Sequence, residues 1–137
     1  MERKDFGGLG EEFWGRKPLI GMVHLPPLPG SPRDEGQGME TILKQAVADT
    51  QALEAGGADA VMVENFFDAP FAKDSLPPHT IAALTRAVAA VREATRLPIG
   101  VNALRNDARA ALAVAHICGA QFVRINIYVG AAVTDQG

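Results

Sequence analysis

The sequence predicts an α/β domain built on a parallel sheet, and two observations support this. Four short apolar runs of strand length alternate with longer segments whose apolar residues recur at helical spacing. The strand runs are almost continuously apolar, which is typical of parallel strands that are buried on both faces. Alternating strands and helices with right-handed crossovers therefore favour one parallel sheet covered by helices.

The first two strand–helix units contain the longest loops. Residues 18–25 (PLIGMVHL) are predicted to form a strand, and a helical pattern over residues 39–57 ends at a Gly-Gly pair. Residues 58–65 (ADAVMVEN) are the second predicted strand. After the loop FFDAPFAKDSLPP, residues 79–95 form the second helical pattern. Each unit thus consists of a strand, a proline-containing loop and a helix.

The last two units are more compact. Residues 97–104 (LPIGVNAL) lead almost directly into a helical pattern over residues 105–119, with Asp107 as the expected N-cap and Gly119 as the stop. Residues 121–129 (QFVRINIYV) are predicted to be the fourth strand, and the loop GAAVTDQG follows.

Composition excludes several classes of protein. A hydrophobic content of 47% over 137 residues is enough for a globular core. The net charge is −3 and the basic residues are scattered, so we expect no nucleic-acid partner. No apolar run approaches the roughly 18 residues of a membrane span, so a cytoplasmic location is expected, with peripheral membrane contact left open. The single cysteine, Cys118, is expected to be a buried structural thiol.

Polar residues collect at the carboxyl ends of the predicted strands, where α/β proteins build their sites. They are His24, Glu64, Asn65, Asn102, Arg124 and Asn126. Strand alternation puts Glu64, Asn102 and Asn126 on the inner face, so these side chains are expected to converge at one mouth. The alternative is that each one merely satisfies loop backbone groups. That alternative weakens for four strands together, because burying Glu and Arg without partners costs several kcal/mol.

The first loop decides between two kinds of parallel sheet. An open doubly wound sheet usually has a glycine-rich phosphate turn after its first strand, and no G-x-G-x-x-G opens a helix here. The loop LPPLPGSPRDEGQG is long and rich in proline instead. The sequence therefore favours a segment of a (β/α)8 barrel.

His24 and Glu64 are the candidate catalytic residues. The prolines after His24 restrict the backbone, which favours a fixed imidazole that acts as an acid/base or a metal ligand. The alternative is a histidine that only bonds to a neighbouring loop. Glu64 on the adjacent strand end can share a proton or a divalent ion with it, so a divalent metal held by His24 and Glu64 is the candidate cofactor. Asn65 adds an amide, and Asp135 is a second candidate carboxylate.

Other candidate ligand-binding residues lie in the loops. Arg105 and Asn106 follow the third strand, where the guanidinium can clamp a carboxylate or phosphate. The alternative is a surface ion pair of Arg105 with Asp107 or another nearby acid. A phenylalanine cluster in the second loop is expected to pack onto the rim, with a ligand wall as the alternative. The cluster is Phe66, Phe67 and Phe71. No function is assigned to His79 or His116.

Four segments of the chain closely resemble the BtpA family, which is named for a protein implicated in photosystem I biogenesis and includes SgcQ-like proteins. They are KPLIGMVHLPPLPGSP, GGADAVMVENFFDAPF, GVNALRNDARAALAVA and FVRINIYVGAAVTDQG. The similarity runs in order from Lys17 to Gly137. The resemblance implies a (β/α)8 barrel related to barrels that handle phosphorylated sugars or nucleotides.

The length predicts only the first four βα units of that barrel, since a complete one needs about 250 residues. We expect one partial barrel domain over residues 1–137, with residues 1–17 as an extension over the closed end. The outer strand edges and an inner face with Met62, Phe122 and either Val101 or Gly100 would be exposed. Open edges and apolar faces favour self-association.

Three functions remain open at the level of sequence. The first is an enzyme that binds a small phosphorylated or nucleotide-like metabolite at the strand ends. The second is a non-catalytic assembly or stabilisation factor for a membrane complex such as photosystem I, and the third is an inactive fragment. An enzyme should bind a metabolite or metal beside His24 and Glu64, whereas a factor need not.

Overall fold

A computed structural model describes residues 9–134, apart from the side chains of Glu12 and Trp14. Its four strands form one parallel sheet in the order β1-β2-β3-β4. The elements are α1 (Glu11–Trp14), β1 (Ile20–His24), α2 (Gly38–Ala55), β2 (Ala60–Glu64), a 3-10 turn (Phe66–Asp68), α3 (Pro78–Ala94), β3 (Ile99–Asn102), α4 (Ala108–Cys118) and β4 (Phe122–Val123). The predicted α/β fold class, four parallel βα units, is confirmed.

The hydrophobic core lies between one face of the sheet and the helices α2, α3 and α4. Alternate strand residues supply it because successive side chains point to opposite faces. They are Val23, Val61, Val63, Ile99 and Val101. The helices contribute their apolar stripes, for example Ile42 on α2 and Leu84 on α3. The remaining strand residues therefore point to the inner face, where the predicted site lies.

Strand register aligns the polar strand ends. His24 is paired with Glu64 across β1 and β2, and Glu64 is paired with Asn102 across β2 and β3. Parallel strands in this register carry the three side chains on one face, one beside the other. Helix α4 begins after Asp107, whose carboxylate accepts the Ala110 N–H as an N-cap, as the sequence predicts.

The fourth strand is shorter than predicted. Residues 121–129 were expected to be extended, but β4 contains only Phe122–Val123. β4 is short because its neighbour β3 already ends at Asn102. The last backbone hydrogen bond between the two segments is donated by the Arg124 N–H to the Val101 carbonyl. Arg124 and Asn126 therefore lie just beyond the strand, not on it.

The inner face is better covered than the sequence suggests. Gly100, and not Val101, lies there, directly beneath the Phe122 ring. Met62 is only 5% exposed. Exposed apolar side chains occur instead on α4 and on the segment after β4, namely Leu112, Ile117, Tyr128, Val129 and Val133.

The N-terminal segment reaches the sheet at the amino end of its strands. Arg16 pairs with Asp59 at 2.6 Å, and the Leu19 N–H donates to the same carboxylate at 2.8 Å. Residues 1–8 lie outside the described part, so a cover over the closed end stays a prediction. No helix within residues 9–134 has the length and apolarity needed to cross a bilayer. Cys118 is half-buried, and burial raises the pKa of its thiol.

Candidate functional site

Glu64 is the centre of a hydrogen-bonded cluster at the carboxyl ends of the strands. Its Oε1 lies 2.8 Å from Nε2 of His24, and its Oε2 accepts a bond from Nδ2 of Asn102 at 2.7 Å. Arg124 donates a second bond to Oε2, also at 2.7 Å. Asn102 further approaches Oδ1 of Asn126 at 3.5 Å. The structure thus brings together five of the predicted site residues.

The carboxylate of Glu64 is almost entirely withdrawn from water, with 2% of its side chain exposed. Removing a carboxylate from water costs several kcal/mol unless charged donors replace the lost hydration. Arg124 supplies a charged donor and His24 an N–H donor, and their side chains remain 46% and 35% exposed. The buried anion therefore lies directly beneath solvent-accessible cationic and titratable groups.

The imidazole of His24 is stacked on one aromatic ring and met by a second one in a T-shaped contact. Phe66 stacks on it with a centroid distance of 4.1 Å and an angle of 9°, and Phe67 meets it edge-on at 6.4 Å. The hydrogen bond to the carboxylate requires a proton on Nε2, so the neutral ring has its acceptor at Nδ1. No residue within 9–134 is hydrogen-bonded to that Nδ1 atom.

A cavity of about 320 Å³ adjoins the cluster. Arg124 belongs to both, because it lines the cavity and bonds Glu64, while Phe66 lines it and stacks on His24. The lining residues are Arg33, Phe66, Phe67, Ala69, Phe71, Leu104, Arg105, Arg124 and Asn126. The phenylalanine cluster, expected to pack onto the rim, forms one wall of this cavity.

Asn65 does not join the Glu64 cluster. Its amide is fully buried, donates to the Leu104 carbonyl at 3.3 Å and accepts the Leu104 N–H at 2.8 Å. It also donates to Asp68 at 3.0 Å, and Asp68 accepts the Leu28 N–H at 2.7 Å. Asn65 and Asp68 thus join the loops after β1, β2 and β3, which is a positioning function. A ligand contact by Asn65 stays a prediction.

Asn106 and Asn126 fix the segment after β4 in a similar way. The Asn106 amide both donates to the Ile127 carbonyl and accepts the Ile127 N–H, at 3.1 and 2.9 Å. Asn126 donates to the Arg105 carbonyl at 3.0 Å. The Arg105 guanidinium lies 4.9 Å above the Phe71 ring and faces the cavity wall. Asp135 lies outside the described residues.

The described residues offer few ligands for a metal. No group of three or more His, Cys, Asp or Glu side chains comes together within residues 9–134. His24 and Glu64 are two ligand side chains, whereas a catalytic zinc usually has three protein ligands. This half-barrel alone therefore does not fit a resident metal of that kind.

Sequence reasoning missed Arg33 and Asp68. Arg33 lies in the first loop, nine residues after the end of β1, and no local pattern shows that it reaches the cavity. Asp68 follows two phenylalanines in the 3-10 turn, and its burial raises the pKa of its carboxyl despite the bonds from Leu28 and Asn65. The two phenylalanines before Asp68 are the feature of the sequence that could have indicated a buried carboxylate.

Comparison with known proteins gives a consistent result. The profile of the BtpA family matches residues 15–137. The chain is 48% identical over 124 residues to an uncharacterized protein of Pyrococcus furiosus, covering 90% of this chain and 47% of that protein. It is 44% identical over 129 residues to the photosystem I biogenesis protein BtpA of Synechocystis, covering 94% of this chain and 45% of that protein.

The chain spans about half the length of the curated relatives that it matches. Among solved structures, it resembles the carboxyl transferase domain of Rhizobium etli pyruvate carboxylase, with a TM-score of 0.51 and 23% identity over 78% of this chain and 16% of that one. At this identity the likeness concerns the barrel fold alone. The family profile and these relatives together show that the chain belongs to the BtpA family.

Proposed function

We propose that the chain forms the catalytic half of a barrel that acts on a small phosphorylated or nucleotide-like metabolite by acid–base catalysis. The observation that supports this proposal best is the buried Glu64 carboxylate, bonded at once to His24, Asn102 and Arg124 beside an open cavity. A buried ion pair contributes little to stability compared with apolar packing, so stability alone gives no reason for this cluster. A histidine and an arginine bonded to one buried carboxylate at the edge of a cavity make a candidate acid–base site.

The geometry assigns a role to each group. Glu64 holds the proton on Nε2 of His24, which leaves Nδ1 to take a proton from a bound ligand. The imidazolium that forms is then stabilised by the carboxylate, as in other His–carboxylate pairs. Proton transfer by a positioned side chain contributes about 10²–10⁴-fold to a rate. Arg124 and Arg105 supply positive charge where a ligand anion would lie.

Glu64→Gln separates this function from folding. The Gln oxygen can still accept from Asn102 and Arg124, while its amide must donate to Nε2 of His24 and so moves the ring proton to Nδ1. The fold is retained, but Nδ1 becomes a donor and can no longer act as a base.

The experiment has two steps. A thermal-shift screen of this chain with sugar phosphates, nucleotides and divalent ions first identifies ligands. Turnover of each ligand is then followed by NMR for the wild type, Glu64→Gln, and Glu93→Gln as a control on the exposed side of α3. We expect at least about a 100-fold loss in Glu64→Gln and none in the control. Equal turnover in all three proteins would contradict the proposal.

A second candidate function comes from the Synechocystis relative, whose name records photosystem I biogenesis. A non-catalytic assembly factor would use the exposed apolar side chains of α4 and the segment after β4, and would need no ligand at His24. In that case no metabolite raises the melting temperature. Ile117→Glu would then abolish the assembly activity, and Glu64→Gln would leave it intact.

A further inference from the structure

We propose that a second cavity, which we call the Asp68 cavity, binds the ammonium group of a small primary amine. It is bounded by the loops after β1 and β2 and by the start of α3, and its polar side chains are Ser31, Asn65, Asp68 and Thr80. Within residues 9–134, Phe71 is the only residue that lines both this cavity and the one beside Glu64. The inference is therefore independent of the Glu64 cluster and of the proposed function.

The Asp68 carboxyl group is buried without a positively charged partner. The residue is 5% exposed, and no Lys, Arg or His side chain within residues 9–134 forms an ion pair with it. Its oxygens accept one hydrogen bond each, from the Leu28 N–H and from the Asn65 amide. A carboxylate has about four lone-pair positions, so acceptor capacity remains. Buried charges in proteins are normally paired or bound to a metal, so a ligand cation is the expected partner.

Two hydroxyl groups of the Asp68 cavity also lack a well-formed hydrogen bond. Oγ of Ser31 is withdrawn from solvent and has no bond of acceptable geometry in the described chain, although it lies beside the Asp68 carboxyl. Thr80 is 4% exposed, and its hydroxyl forms no hydrogen bond with any residue in 9–134. Most buried side-chain polar groups have a partner. Since a hydroxyl oxygen has two acceptor lone pairs, both groups can accept from a donor that is bound in the cavity.

An ammonium group complements these acceptors in both charge and number. It has three N–H donors and no acceptor, and the Asp68 carboxylate and the two hydroxyls supply one acceptor each. Burial, and to a smaller extent the charge of Asp34, raise the pKa of the Asp68 carboxyl, so the surroundings disfavour an anion. A divalent ion such as Ca²⁺ takes about six to eight oxygen ligands, whereas Asp68 is the only carboxylate among residues 9–134 that lines the cavity.

The rest of the cavity wall suits a short carbon stem. It is largely apolar and includes Pro70, Phe71, Ala72, Leu76 and Pro77. The cavity volume is about 280 Å³, and a water molecule occupies about 30 Å³ of liquid, so there is room for fewer than about ten non-hydrogen atoms. The ligand class is therefore a primary amine with a short apolar stem, whose nitrogen lies at Asp68 and whose carbons lie against the apolar wall.

The test compares three probes by NMR titration of the ¹⁵N-labelled chain at neutral pH and constant ionic strength. They are n-butylammonium chloride, 1-butanol and tetramethylammonium chloride. The alcohol keeps the stem without the charge, and the quaternary ion keeps the charge without an N–H donor. We expect n-butylammonium to give saturable shifts at the backbone amides of Ser31, Asp68 and Thr80. The other two probes should bind there at least about tenfold more weakly, because each lacks part of the charge-assisted hydrogen bonding.

Variants of the polar side chains assign the binding to this cavity. Thr80→Val and Ser31→Ala should each weaken n-butylammonium by about tenfold, the loss expected for one hydrogen bond to a charged group. Thr85→Val is the matched control, because it makes the same change on the same helix at a hydroxyl that bonds the Ile81 carbonyl outside the cavity. Asp68→Asn removes the negative charge and should abolish saturable binding.

Several results would overturn the inference. One is the absence of saturable shifts at the cavity amides with n-butylammonium, and another is equal affinity for 1-butanol. Unchanged affinity in both Thr80→Val and Ser31→Ala would also overturn it, and these two variants decide the question even if Asp68→Asn does not fold. Tighter binding of potassium chloride than of n-butylammonium at the same amides would assign the cavity to a metal ion instead.

Discussion

Gly100→Ala should disrupt the Glu64 cluster from a distance. A Cβ atom at position 100 would lie 2.3, 2.6 and 2.7 Å from atoms Cε2, Cζ and Cδ2 of Phe122, where ordinary contacts are 3.4–4 Å. The ring must therefore move by about 1 Å, because repulsion rises steeply below contact distance. Overpacking of this kind costs about 1–3 kcal/mol of unfolding free energy.

The displacement should reach the site through the chain that follows Phe122. Arg124 and Asn126 lie two and four residues further on, and they bond Glu64 and Asn102. We expect the free energy of unfolding, measured with urea, to fall by about 1–3 kcal/mol. Gly10→Ala is the control, because nothing lies within 4 Å of its added Cβ.

A double-mutant cycle with Phe122→Leu assigns the effect to this contact. If the ring is the obstacle, Gly100→Ala should cost at least about 1 kcal/mol less in the Phe122→Leu background than in the wild type. The reasoning is refuted if Gly100→Ala is no more destabilising than Gly10→Ala, or if the two changes are additive.

Asn65→Ala should lower the free energy of unfolding by about 2–4 kcal/mol in urea titrations, since it removes the bonds to the Leu104 backbone and one of the bonds to Asp68. An effect below about 0.5 kcal/mol would show that Asn65 does not hold these loops together. Burial raises the pKa of Asp68, so its contribution to stability is greatest below its ordinary value of 3.8 and is lost as pH rises through the raised pKa. Melting curves of Asp68→Asn should lack that loss above pH 3.8. Sedimentation velocity should show self-association, and Ile117→Glu should shift the equilibrium toward monomer. An unchanged sedimentation profile in this variant would exclude the exposed apolar face of α4 as the contact.

The sequence predicted the fold because the pattern that carries it is local. Apolar runs, helical spacing, and the signals at Asp107 and Gly119 each depend on residues close together in the chain. The extent of β4 could not be predicted in this way, because it depends on where the neighbouring strand β3 ends. Residues 124–129 have a strand-like sequence, but they have no ladder to join beyond the last bond to Val101.

The candidate site was predictable in part for a similar reason. His24, Glu64 and Asn102 end strands on one face, so alternation and parallel register suffice to bring them together. Asn65 is also an asparagine near a strand end, but it lies one residue beyond Glu64 and binds the Leu104 backbone in the adjacent loop. Arg33 reaches the cavity through a long loop, whose path no periodic pattern specifies.

The most direct test of the proposed chemistry is a long-range ¹H–¹⁵N correlation spectrum of the histidine rings. The chain has three histidines, so the signals of His24 can be assigned by comparison with His24→Gln. If Glu64 fixes the ring as described, neutral His24 carries its proton on Nε2, and Glu64→Gln moves that proton to Nδ1. A wild-type ring protonated on Nδ1, or a tautomer that does not change in Glu64→Gln, would contradict the account.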